Sequence, residues 1–273
     1  IKVYKPDIIH FSYYNESLLD YIKTPYILTV YDLIYEKLNL KQNQFRKKKL
    51  IDKAKHIICI SEQTKHDLQK YYKVANKKIS VVYLGIKDYK KIIRVKKKFI
   101  LYVGDRKRYK NFLNFINAFS KSQYLRKNFQ VICFGGGLFE KEEVEIFKKL
   151  KISKKIIHKI GNDKVLEQTY RKASLFVTVS LLEGFGLTPL EAIKLGCPVV
   201  CSNIKVFRET LKNSSFFVNP KKINEIKNGM EKVLKSKVLQ KKLIMRGKHR
   251  IKKFTWQNCA LNTSKIYNEI LEK

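Results

Sequence analysis

Apolar residues in this chain come in short runs rich in β-branched side chains. Between the runs lie longer stretches where they recur every three or four positions. The runs at 7–12, 26–31, 56–60 and 79–84 predict four buried strands. Helices are predicted between them at 42–54 and 62–72, the second opened by Ser61. A charged connector at 86–98 interrupts the pattern. A second series then begins, with strands at 99–104, 129–134, 156–160, 175–179, 198–201 and 216–218. Helices are predicted at 111–120, 138–151, 164–172, 222–234, 237–247 and 258–271, with another opening at Thr188 and closing at Gly196. Strands alternating with helices predict an α/β chain of doubly wound parallel sheets. The divisions expected are a domain over 1–92, a second over 93–255, and a final helix over 256–273 that returns to the first.

The densest chemistry lies between Ser174 and Asn203, where a strand, a glycine-containing loop, a helix and a strand follow one another. Thr188-Pro189-Leu190-Glu191 has the order of a helix start, with Thr188 as the cap. The amides of Phe185, Gly186 and Leu187 fall at that start, where open N–H groups and the helix dipole favour an anion. Gly184 and Gly186 allow a ligand near the backbone. Glu183 and Glu191 flank the amides, eight positions apart. Such a cradle suits a nucleotide diphosphate with a sugar at each end. Glu191 reads equally as the far half of a capping box, and Glu183 as a solvated loop residue.

A second anion-favouring place follows the strand at 99–104. Arg106 and Lys110 stand there between a strand end and a helix start. Gly135-Gly136-Gly137 ends the next strand without forming a dinucleotide fingerprint. No histidine, cysteine or acidic spacing suggests a metal site, so no metal or cofactor is expected.

Charge and cysteine content add a little. The formal net charge is +36, but only nine of the 59 basic residues are Arg. Lysines spread along the whole chain argue against nucleic-acid readout, which uses arginine forks. They suit an anionic membrane surface, and AT-rich coding would also produce them. Five cysteines without zinc or redox spacing fit a reducing cytoplasm.

The stretch EGFGLTPLEAIKLGCPVVCSN resembles the signature of the retaining glycosyltransferases of family 4, which have the GT-B fold of two Rossmann-like domains. The resemblance implies that Glu183 meets the transferred sugar and Glu191 the ribose. The backbone of Gly184, Phe185, Gly186 and Leu187 would hold the diphosphate. YVGDRKRYKNF resembles that family's loop whose Arg and Lys neutralise the diphosphate, which implies the role for Arg106 and Lys110. The family's loop after the strand at 156–160 lies against the base, implying contacts at Ile160 and Gly161. DIIHFSYY, TPYILTVYDLIYE, IICISEQTKHDL and ISVVYLGI follow the order of its first domain, and FTW at 254–256 resembles its FSW. Tyr31-Asp32 stands where the family carries histidine before aspartate, so the position keeps a hydrogen bond but no positive charge.

In the family the first domain opens with a strand and a Gly-rich loop, whereas this sequence opens at Ile1 without them. The resemblance therefore implies an incomplete first domain, and the chain alone is expected to be poorly soluble and inactive. The activity implied is transfer of a hexosyl group, with retention, from a nucleotide sugar to a hydroxyl of a glycan or lipid-linked acceptor. The 102–112 loop is most similar to enzymes of O-antigen-like polysaccharides, often using GDP-mannose. The expected place is the cytoplasm, on the inner face of the membrane. A nucleotide-binding relic without turnover and a basic nucleic-acid-binding α/β protein are the other readings.

Overall fold

The computed structural model describes residues 5–14, 17, 19–40, 44–89 and 97–272, with 44–46 as backbone alone. Most of the charged connector, residues 90–96, and the start of the helix expected at 42 lie outside them. The chain divides into two compact units. One holds Ile1–Ile86, Glu183–Phe185 and Phe254–Lys273, and the other holds Lys87–Leu182 and Gly186–Lys253.

In the first unit β1 (Ile9–Phe11), β2 (Tyr26–Val30), β3 (His56–Cys59) and β4 (Ile79–Val81) form a parallel sheet in that order. Their connections carry α1 (Ile34–Lys37), α2 (Gln44–Lys53) and α3 (Glu62–Tyr72). All five residues of β2 are buried, as a strand covered on both faces requires. Leu28, Val30, Ile57 and Cys59 pack with Leu50, Ile51 and Leu68 of α2 and α3. Ile27, Ile58 and Val82 pack instead against Ile266, near the end of the chain.

The second unit begins with β5 (Phe99–Val103), α4 (Phe112–Ser120), α5 (Gln123–Asn128) and β6 (Gln130–Phe134). Next come α6 (Lys141–Lys149), β7 (Ile156–Lys159), α7 (Asp163–Lys172), β8 (Leu175–Thr178) and α8 (Leu187–Lys194). β9 (Val199–Ser202), α9 (Lys205–Leu211), β10 (Phe216–Val218), α10 (Ile223–Lys235) and α11 (Lys237–Arg250) complete it. The six strands are parallel in the order β10-β9-β8-β5-β6-β7, so the winding reverses between β5 and β8. Phe112, Phe115, Ile116 and Phe119 put the apolar face of α4 on the sheet. The helices α1, α5 and α9 were not expected from the sequence. They have four, six and seven residues, too short to show a full helical period. The helix expected at 138–151 is trimmed to Lys141–Lys149, where Glu140 and Glu143 form a capping box.

The last helix, α12 (Trp256–Leu271), belongs to the first unit and brings Ile266 onto its sheet. It is fastened by His10, whose Nδ1 lies 2.6 Å from Tyr267 Oη and whose Nε2 lies 2.7 Å from Thr29 Oγ1. Burial lowers the His10 pKa below its ordinary 6.5, so the ring is held neutral. Below the ordinary value the unfolded chain takes up the proton first, and the stability from this ring is lost as pH falls. We expect thermal unfolding of the first unit to shift down between about pH 7 and pH 5. His10→Gln should lose that part of the pH dependence; an unchanged profile would discount the ring as its source.

Candidate functional site

In the first unit the candidate residues gather beyond the C-terminal ends of β2 and β3. Asp32 Oδ1 accepts from the Ile34 amide at 3.0 Å and opens α1. Lys47 Nζ donates to Asp32 O at 3.1 Å and is paired with Glu36 at 3.0 Å. Tyr72 Oη donates to the same Glu36 carboxylate at 2.7 Å. Lys47 and Glu36 are both buried, so this network fixes the Tyr31–Asp32 turn from below. Ser61 caps α3 by accepting from the Thr64 amide, and its hydroxyl donates to Gly184 O at 2.8 Å.

Gly184 belongs to the same cluster. A Cβ there would stand 2.3 Å from Tyr31 O and 2.9 Å from Asp32 Cβ, so only glycine allows this approach. Phe185 is buried between the rings of Tyr83 and Phe254 and anchors the segment. Glu183 is half-buried beside it.

In the second unit Gly186 is the cap of α8, at φ 95°. This corrects the expectation that Thr188 caps the helix. A Cβ at Gly186 would meet the Phe207 ring at 2.7 Å, and its φ suits glycine alone. Leu187 and Thr188 then occupy the first turn and leave their N–H groups at the open end. Pro189 is the third helical residue and has no N–H to satisfy. Glu191 lies beyond the capping-box position. Its carboxylate accepts from Tyr170 Oη at 3.2 Å, which removes the capping reading. Burial raises the Glu191 pKa, partly opposed by the Tyr170 hydrogen bond. A carboxylate so desolvated gains from a further hydroxyl donor.

The loop after β5 is stitched to the loop after β8. Leu181 N donates to Tyr109 O at 2.7 Å. Asn111 sits at φ 58° and donates from Nδ2 to Val179 O at 2.9 Å and Pro220 O at 2.8 Å. This stitch fixes the backbone on either side of Lys110, whose Nζ lies 5.2 Å from the Tyr109 ring centroid. Sequence reasoning treated Asn111 only as a helix start. Its partners are 68 and 109 positions away, and only the asparagine itself could have hinted at them.

The Arg106 side chain, expected to contact a diphosphate, is buried and turned to partners within the second unit. Its side chain is 4% exposed and pairs with Glu143 at 2.8 Å. The guanidinium also donates to Gly135 O at 3.2 Å and Leu138 O at 2.7 Å, and lies 4.8 Å from the Phe139 ring centroid. It ties the β5 loop to the glycine loop after β6 and to the start of α6. Lys107 pairs with Glu140 at the surface. Ile160 is 72% exposed after β7, and Gly161 lies against Val165 at the start of α7. Among the described residues no group of His, Cys, Asp or Glu is placed to hold a metal, and no helix is long and apolar enough to cross a membrane. Cys59, Cys133, Cys197 and Cys201 are buried thiols, and burial pushes Cys59 and Cys133 up to about 12.

The chain has two parallel sheets, and in the second the winding reverses beside a capped helix start, the place where open α/β sheets bind ligands. Residues 86–250 match the family Glycosyl transferases group 1, and residues 1–88 match Glycosyltransferase Family 4. The chain belongs to the group 1 glycosyltransferase family, whose match covers more than half of it. It is 30% identical over 180 residues to the O-antigen chain mannosyltransferase RfbU of Salmonella typhimurium, covering 65% of this chain and 50% of that protein. It thus spans about half the length of that relative, and 60% of a Methanocaldococcus jannaschii glycosyltransferase. Sucrose-phosphate synthase of Thermosynechococcus elongatus shares the GT-B fold, with TM-score 0.82, 19% identity, and 97% of this chain and 74% of that one covered. HepE of Anabaena, solved with UDP and glucose, gives TM-score 0.81 at 14% identity over 96% of this chain and 77% of that one.

Proposed function

We propose that this chain takes part in transfer of a hexosyl group from a nucleotide-diphosphate sugar to a hydroxyl of a glycan or lipid-linked acceptor, with retention of configuration. The observation that carries the reading is the open N-terminus of α8, capped by Gly186 and flanked in sequence by Glu183 and Glu191. The amides of Gly186 and Leu187, with Lys110, would stabilise the departing diphosphate. Glu191 would take the ribose hydroxyls, its oxygen already oriented by Tyr170. Glu183 would orient the transferred sugar, with Gly184 and Phe185 holding its loop. Tyr31 and Asp32 would complete the donor contacts, and the backbone of Ile160 and Gly161 would meet the base. No metal is assigned a step.

The naming of RfbU as a mannosyltransferase supports GDP-mannose as donor and a surface polysaccharide as product. The charge of +36 and the buried free thiols support a cytoplasmic chain held at the inner membrane surface. Glu183→Gln in the protein carrying this chain is expected to cut transfer from GDP-mannose at least about a hundredfold while leaving GDP binding in place. A normal rate in that variant would overturn the assignment of Glu183. A product with inverted anomeric configuration, read by NMR, would overturn retention. The alternative reading is a nucleotide-binding chain without turnover. Saturable GDP or UDP binding with no transfer from any donor would establish it.

A further inference from the structure

A cavity of about 400 Å³ opens in the second unit, lined by none of the candidate residues discussed above, although Lys159 of its lining adjoins Ile160 in sequence. Lys97, Lys98, Lys159 and Lys172 line it, together with Thr169 and Gln130. Most of its lining lies where β5 and β6 begin, with Lys159 reaching in from the end of β7, whereas Lys110 and Gly186 follow the ends of β5 and β8.

The topology explains the opening. α7 leaves β7 at the sheet edge and must reach β8, passing β6 and β5. One helix about 10 Å wide spans three strand spacings of about 4.8 Å each, so part of the sheet stays uncovered.

The lysines are held together there rather than merely abundant. Lys97 N donates to Lys172 O at 2.7 Å, and Ser174 Oγ donates to Lys97 O at 2.6 Å. Lys159 Nζ donates to Thr169 Oγ1 at 2.9 Å, and that hydroxyl donates on to Val165 O at 2.7 Å. Among the described residues, none that lines the cavity is acidic. Burial lowers the Lys159 pKa, and the charges of Lys172 and Lys97 lower it further. Like charges crowded without a counterion destabilise one another, and an anion placed among them reverses that term.

We propose that this cavity is a binding site for a phosphate-bearing polyanion, separate from the nucleotide site. Ammonium groups on flexible stems suit phosphate oxygens as point charges, and the Gln130 amide offers a further donor. The same chemistry is carried by a soluble polyphosphate and by an anionic phospholipid headgroup. The site does not depend on the donor assignment above.

The test compares two variants of the whole chain at about 0.15 M salt, where weak surface attraction is screened. Lys159→Gln/Lys172→Gln empties the cavity of two charges, and Lys237→Gln/Lys241→Gln removes two exposed charges from α11. Lys97→Gln is an alternative whose side chain is exposed, should the first double variant fold poorly. Inorganic tripolyphosphate, titrated calorimetrically, should bind the cavity variant at least about tenfold more weakly than the wild type and the α11 variant. A matching loss of cosedimentation with phosphatidylglycerol–phosphatidylcholine vesicles assigns the site to a lipid headgroup. A loss confined to tripolyphosphate assigns it to a soluble polyanion. Equal behaviour of the cavity and α11 variants with both probes would overturn the proposal.

Discussion

Truncating Lys110 to alanine is expected to lower turnover about a hundredfold or more, the usual effect of removing one donor aimed at developing negative charge. The unfolding free energy should move by less than about 0.5 kcal/mol. The loop keeps its shape without this side chain, because Asn111 and the Tyr109 carbonyl hold it through backbone partners. On the proposed reading the effect should appear in kcat, since the charge to be stabilised would develop as a diphosphate leaves. Lys110→Arg should recover part of the rate. A variant that turned over normally would remove Lys110 from the chemistry.

Arg106→Ala, four positions earlier, should show the opposite pattern. It leaves the Glu143 carboxylate, 12% exposed, without its cation, and takes a donor from two carbonyls. Breaking a buried pair from one side destabilises by about 3–5 kcal/mol. Equilibrium denaturation would read this directly. A cycle with Glu143→Gln should show the two residues coupled, because each substitution removes the same ion pair. If Arg106→Ala kept full stability but lost nucleotide affinity, the guanidinium would have to face the ligand after all.

The contrast between these neighbours shows what the sequence could convey. Short β-branched runs marked every strand of both sheets, because a parallel strand is buried on both faces and the signal is local. The unit from β8 through α8 to β9 was legible for the same reason, with glycines marking the loop. The direction of the Arg106 side chain was not legible. It depends on Glu143, 37 positions away, and on the carbonyls of Gly135 and Leu138. A basic residue in a loop reads identically whether it turns to a ligand or to a neighbouring helix. The α8 cap was misplaced by a related effect. Thr188 has the better capping chemistry, but the Phe207 ring and a positive φ select glycine two positions earlier. Glu191 could be freed of its capping reading only once Tyr170, distant in sequence, was seen to bond it.

The covering of the first sheet by α12 sets an order of events at the ribosome. Ile27, Ile58 and Val82 emerge before it, and Ile266 follows Val82 by 184 positions. At about 5–20 residues per second, that apolar face waits roughly ten to forty seconds for its cover. All residues of the second unit emerge within that interval, before the helix that closes its predecessor. Nascent chains are therefore exposed to chaperones and to mutual adhesion through the face of Ile27, Ile58 and Val82, and a stop codon only a few residues before Ile266 would make that exposure permanent.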